Sequence, residues 1–204
     1  MTQSPNSPLQ PAPRLLVGVS GSLDSTLLPG YLRAIREAMA CSITALLTPT
    51  ATKFINPAST ALFVDRLICG DDPKDWPTDK PGRIVLDHDL LIVLPATANT
   101  LSAVANGSSL NRLTTVILAA TFPVAFFPVM GGPMWEKPAV RRNVARMRED
   151  GYAVIEPVWR EHFDPLMDKM HGHFSLPDPD DVVAVVRGLL AQVTAGTPRA
   201  ALLR

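Results

Sequence analysis

Two hydroxyl-bearing loops stand where a phosphate can be held. The first, Gly18-Val19-Ser20-Gly21-Ser22, follows a short apolar run and precedes a helical stretch, so backbone N–H groups, serine hydroxyls and a helix N-terminus can converge on one point. A Gly/Ser turn after a first strand is also ordinary in α/β proteins, and the segment alone leaves both readings open. The second, Thr48-Pro49-Thr50-Ala51-Thr52, ends the next apolar run and reads either as a helix cap or as a second set of contacts to the same ligand. The chain has four histidines. His88 reads as a strand-edge residue with a local hydrogen bond or as a proton acceptor, while His162, His171 and His173 fall together late in the chain. Their spacing to any Cys or carboxylate gives no metal signature, and no metal is expected.

The elements that must position these residues alternate. Leu15 to Val19 and Ile43 to Leu47 are strand-like runs flanking a helical pattern from Leu27 to Met39, which makes one βαβ unit. Leu90 to Leu94 is apolar on both faces, as a central parallel strand must be, and Val124 to Phe127 and Tyr152 to Ile155 are further strands. Helices are expected over Leu62 to Ile68, Asn99 to Ala105, Leu110 to Ala120 and Pro138 to Arg148. Asp178-Pro179-Asp180-Asp181 opens a last helix through Val193. Gly70 to Gly82 reads as an exposed connection, and 156–177 as a long loop able to cover a ligand. The pattern predicts an α/β fold with three Rossmann-like layers around a central parallel sheet, its ligands at the carboxyl ends of the strands. The domain spans 14–195, between a disordered Pro-rich tail, 1–13, and a flexible C-terminal tail, 196–204.

Charge and composition remove several classes. Nineteen Lys and Arg balance nineteen Asp and Glu, so no field favours nucleic acid or an anionic membrane. The apolar runs fall far short of the roughly 20 residues that span a bilayer. Two cysteines, Cys41 and Cys69, make no disulfide framework, and a cytoplasmic location is expected.

Two further segments carry a resemblance. Pro95-Ala96-Thr97-Ala98-Asn99-Thr100 resembles the PASANT motif, and Pro128-Val129-Met130-Gly131-Gly132-Pro133-Met134-Trp135 the PxMNxxMW motif, of the homo-oligomeric flavin-containing cysteine decarboxylases. That family includes lanthipeptide peptidyl-cysteine decarboxylases and phosphopantothenoylcysteine decarboxylase. The similarity runs from about Arg14 to the last helix and takes in Thr48 to Ile55, the Ala105-Asn106-Gly107 turn and Leu113-Thr114-Thr115. It implies a flavoprotein binding FMN through Gly18, Ser20, Gly21, Ser22, Thr48, Thr50, Thr52, Phe54, Pro95, Ala96, Thr97, Ala98, Asn99, Thr114 and Thr115. Met130, Gly131, Met134 and Trp135 would meet the substrate, although a Met/Trp cluster is also ordinary packing. The implied partners are a precursor peptide with a C-terminal cysteine and further copies of the chain, as a trimer or a dodecamer of trimers. The implied reaction is oxidative decarboxylation of that cysteine to an enethiol, the step before aminovinyl-cysteine formation.

The departures are as informative. Family members acting on cysteine place a His fourteen residues before the Pro of the first motif, and that position is Pro81, which cannot move a proton. The Asn of the second motif is replaced by Gly131. The catalytic group is therefore unknown from sequence, and a competing reading stands beside the enzyme: an FMN-binding, non-catalytic protein or the partner of a paralogous subunit. No cysteine follows Cys69, which disfavours the phosphopantothenoylcysteine branch, and flavin prenyltransferases share only the first loop.

Overall fold

Strands that are apolar on both faces need cover on both, and the chain supplies it. The computed structural model describes residues 12–195 apart from 71, 73, 75 and 166. In order come β1 (Arg14–Val19), a 3-10 turn (Leu23–Leu27), α1 (Leu28–Ala38), β2 (Ser42–Leu47), a 3-10 turn (Ala51–Lys53), α2 (Pro57–Ala61), β3 (Arg66–Cys69), α3 (Trp76–Asp79), α4 (Pro81–Leu86), β4 (Leu90–Ala96), α5 (Ala98–Ala105) and α6 (Arg112–Ala119). There follow β5 (Val124–Pro128), β6 (Met130–Gly131), α7 (Gly132–Trp135), α8 (Pro138–Glu149), β7 (Ala153–Val154), β8 (Val158–Asp164), β9 (Lys169–Ser175) and α9 (Pro179–Ala195). Six strands form a parallel sheet in the order β3-β2-β1-β4-β5-β7.

Side chains alternate across this sheet and build two cores. Leu15, Val17, Ile43, Ile92 and Phe127 pack under α1 and α9, while Leu16, Leu46, Leu91, Val93 and Phe126 pack under α4, α5, α6 and α8. This is the expected three-layer architecture. The start of β1 is fastened by Arg14, whose guanidinium donates to both Asp89 oxygens at 3.1 and 3.0 Å ahead of β4.

Three expectations need correction. The region 156–177 is not a loop: β8 and β9 form an antiparallel hairpin that continues through β6 into a second, three-stranded sheet. Neither hairpin face is deeply buried, so the apolar run that marks a core strand is missing there. Leu62 to Ile68 is not a helix; a turn leads into β3, because Leu62 is 84% exposed and offers no helix face to the core. Gly70 to Gly82 contains α3 and the start of α4 rather than a plain connection, Pro81 being suited to the first helical turn. The expected tails lie outside the described residues except at Ala12 and Pro13, and the Pro13 carbonyl accepts a hydrogen bond from Ser42 N–H at 2.9 Å. Among the described residues no helix is long and apolar enough to cross a membrane.

Candidate functional site

Strand order reverses between β1 and β4, so the loops leaving their carboxyl ends part and open a crevice. A cavity of about 620 Å3 fills it, within the roughly 300–1,000 Å3 usual for cofactor sites. Ser20 and Gly21 after β1, with Thr48, Pro49 and Thr50 after β2, make one wall. Thr97 to Thr100 at the start of α5, with Leu110 and Asn111 ahead of α6, make another. Val129, Met130 and Met134 close the third side with apolar surface.

Local hydrogen bonds fix each wall. The Ser20 and Thr100 hydroxyls lie 2.8 Å apart, and Ser20 N–H donates to the Pro95 carbonyl at 3.2 Å, tying the β1 loop to the end of β4. The Thr48 hydroxyl donates to the Val19 carbonyl at 3.0 Å and accepts from Ala51 N–H at 3.2 Å. Asn111 caps α6: its side-chain oxygen accepts from Thr114 N–H at 3.0 Å, while the Thr114 and Thr115 hydroxyls donate to its carbonyl at 3.0 and 2.9 Å. Gly21 makes the cradle possible. A Cβ on it would stand 2.7 Å from the Thr50 backbone carbon, so the two loops touch only because residue 21 has no side chain.

Of the residues singled out in the sequence, Ser20, Gly21, Thr48, Thr50, Thr97, Ala98, Asn99, Met130 and Met134 line this cavity. Gly18 lies beneath Leu113 within β1, the Thr52 hydroxyl donates to the Pro49 carbonyl at 2.9 Å, and Phe54 is 43% exposed. Pro95 and Ala96 form the end of β4, and Trp135 is a core residue, 1% exposed. Thr114 and Thr115 act through Asn111. Sequence reasoning missed Leu110 and Asn111, and it named Pro49, Thr100 and Val129 only as members of their loops and motifs.

A second cavity of about 220 Å3 adjoins the first across their shared residues Val129 and Met130. Ser22, Asp24, Gly131, His162 and His173 line it. Gly131 faces open space, with nothing within 4 Å of where its Cβ would be. Among the described residues the larger cavity has no titratable side chain on its walls, and the smaller has three. Among the described residues no cluster could hold a metal ion.

Pro81 is buried in α4 and lines neither cavity. His88 lines neither: it is 4% exposed, and its Nδ1–H donates to the Ile84 carbonyl at 2.6 Å, the local bond expected of a strand-edge histidine. Burial holds its pKa below the ordinary 6.5 despite that bond. The unfolded chain thus takes up a proton here at higher pH than the folded one, so stability present above about pH 6.5 is lost as pH falls. Urea midpoints should decline between about pH 7 and about pH 5, with a shallower decline in His88→Gln; equal slopes would remove His88 as the cause.

The hairpin is fastened to the β6–α7 segment by an aromatic stack. The Trp159 ring lies across Gly172 and Gly132, where added Cβ atoms would stand 2.0 and 2.8 Å from it. It meets Phe174 edge-on at 5.2 Å, and Phe174 meets Trp135 at 6.0 Å. Gly172→Ala must displace the indole, at a cost of about 1–3 kcal/mol. Limited proteolysis should then cut within 158–175 at least about tenfold faster; an unchanged rate would show that the stack does not hold the hairpin.

The flavoprotein family pattern matches residues 3–191 of the chain. Mersacidin decarboxylase of Bacillus sp. (strain HIL-Y85/54728) is 35% identical over 175 residues, covering 85% of this chain and 88% of that one. The solved structure of the FMN-dependent cysteine decarboxylase SpaF aligns with a TM-score of 0.74 at 31% identity, over 89% of this chain and 97% of that one. A variant of EpiD complexed with the substrate peptide DSYTC aligns with a TM-score of 0.77 at 27% identity, over 86% and 99%.

Proposed function

The chain belongs to the flavoprotein family, and we propose that it is an FMN-dependent oxidative decarboxylase acting on the C-terminal cysteine of a ribosomally made precursor peptide. The observation that carries this reading is the hydroxyl-lined, Gly21-dependent crevice at the sheet's switch point, in a chain 35% identical to mersacidin decarboxylase. The residues present fit the cofactor. Backbone N–H groups and hydroxyls of Ser20 and Gly21, with Thr48 and Thr50, suit a phosphate and a polyol chain, in a cradle that a Cβ on Gly21 would fill. Val129, Met130 and Met134 suit an apolar ring system held against Pro95 to Asn99.

Bound FMN would supply the two-electron oxidation. The protein's part is to hold the peptide's last residue at the Met130 to Trp135 segment, keep water from the crevice and manage the proton released from the thiol. Neighbouring copies in a trimer, or in a dodecamer of trimers, would complete the open side of the crevice. The FMN-loaded chain should remove CO2 and two hydrogens, about 46 Da by the chemistry of the reaction, from a peptide ending in cysteine. A peptide ending in serine should be untouched. An unchanged mass of the cysteine peptide with FMN bound would overturn the proposal.

A second reading has one observation in its favour: among the described residues the larger cavity's walls carry no titratable group. In that reading the chain is an FMN-binding subunit whose active site is completed by a paralogous chain. Activity confined to a mixture of the two would support it, and full activity of the lone chain would remove it.

A further inference from the structure

The geometry points to His173, beside an Asp24 carboxylate that Ser175 fixes, as the general base that takes the thiol proton of the peptide's cysteine; this rests on the decarboxylase reading above. The residue pattern of the hairpin makes the site. In the register of the small sheet Gly131 lies opposite His173, His173 opposite Arg160, and His162 opposite His171. Residues directly opposite one another point to the same face, and so do alternate residues along a strand. Gly131, Arg160, His162, His171 and His173 therefore share one face, and Met130, Trp159, Phe163, Met170 and Phe174 share the other. The face with the imidazoles is the one on which residue 131 leaves open space, and His162 and His173 line the cavity there.

His173 is built in rather than adrift. Its Nε2 lies 3.7 Å from Asp24 Oδ1, and the Ser175 hydroxyl donates to Asp24 Oδ2 at 3.2 Å. Asp24 and Ser175 are buried, at 9% and 3% exposure, so the carboxylate is fixed. A carboxylate at one imidazole nitrogen orients the ring and stabilises the imidazolium that forms when the other nitrogen takes a proton. That other nitrogen, Nδ1, is buried and has no partner among the described residues. A buried nitrogen left unpaired is costly unless the working complex supplies its partner. The other charged or titratable groups on this face are Arg160, bonded to Asp178 at 2.8 Å, the exposed His171, His162, whose ring stands edge-on to His173 at 4.8 Å, and the Asp164 and Lys169 pair at the far end of the hairpin.

The step balances. The thiol S–H bond breaks, its proton goes to His173, and the electron pair stays on sulfur. Bound oxidised FMN would supply the two-electron oxidation that turns the Cβ–S− unit into C=S, taking up the β-hydrogen as hydride. CO2 leaves with its bonding electrons retained on the α-carbon, and the resulting enethiolate recovers the proton from His173.

The test uses the FMN-loaded full chain and peptides ending in cysteine or serine. Decarboxylation by His173→Gln should fall at least about 100-fold, with flavin content and peptide affinity unchanged within about threefold. Affinity is measured on enzyme whose flavin has been reduced, so that no turnover occurs. Asp24→Asn should lose about tenfold. The chain has four histidines, so histidine Cε1 resonances of the reduced holoprotein are few enough to assign by variant. The His173 resonance should move to its protonated position with the cysteine peptide and not with the serine peptide. Should His173→Gln lose the fold, Asp24→Asn and the resonance decide. A His173 resonance indifferent to the thiol, or wild-type turnover in the variants, overturns the inference and leaves the decarboxylase standing. A wild-type holoprotein that leaves the cysteine peptide intact overturns both.

Discussion

Gly21→Ala is expected to yield a colourless protein whose affinity for FMN is at least about 100-fold weaker, equivalent to about 2.7 kcal/mol. The new methyl group would stand 2.4 Å from Thr50 Cγ2 and 2.7 Å from the Thr50 backbone carbon. A side-chain methyl can rotate away; a backbone atom cannot, so the β1 and β2 loops must part. Parting them spoils the shared wall of the larger cavity, to which both Gly21 and Thr50 belong. Gly82→Ala is the control, since nothing lies within 4 Å of its Cβ position. The measurement is a flavin fluorescence titration, and an affinity within about threefold of wild type would dissociate the loop contact from cofactor binding.

Phe126→Ala is expected to lower the unfolding free energy by about 3–5 kcal/mol, read from urea midpoints. Phe126 is fully buried in β5, in register with Val93 on one side and Val154 on the other, and meets Tyr152 edge-on at 5.5 Å. Its cluster also holds Trp135, the last residue of α7, so the cavity left behind lies under the segment that closes the third side of the site. Leu62→Ala, at a position 84% exposed, should change stability by no more than about 0.5 kcal/mol. A loss below about 1 kcal/mol in Phe126→Ala would mean that the core collapses into the gap.

The central strands were readable because burial on both faces leaves a continuous apolar signature, as in Leu90 to Leu94. The Ser20-Gly21 and Thr48-Thr50 walls were readable because loop chemistry is local to the loop. The hairpin was hidden by its weak burial: Trp159, Phe163, Met170 and Phe174 alternate with Arg160, His162, His171 and His173, but no long apolar run announces it. From Trp159 to Phe163 the alternation is broken by Glu161, which stands where an apolar residue would complete a period of two. β3 escaped notice as a four-residue edge strand with one buried side chain, Ile68. Asn111 carried a signal that went unread, a capping residue three positions before Thr114. Trp135 and Gly18 pack inside the fold and line neither cavity among the described residues: a motif joins residues that open onto a cavity with residues that pack beneath it, and spacing does not separate them.

The two-sided hairpin has a consequence for redesign. Its aromatic side grips the body of the protein, and its imidazole side meets whatever enters at Gly131. On the decarboxylase reading proposed above, exchanging every second residue of 158–164 and 169–175 would therefore retune which peptides are accepted without rewriting the walls of the larger cavity. A frameshift of one residue in either strand would instead turn grip and reader inside out.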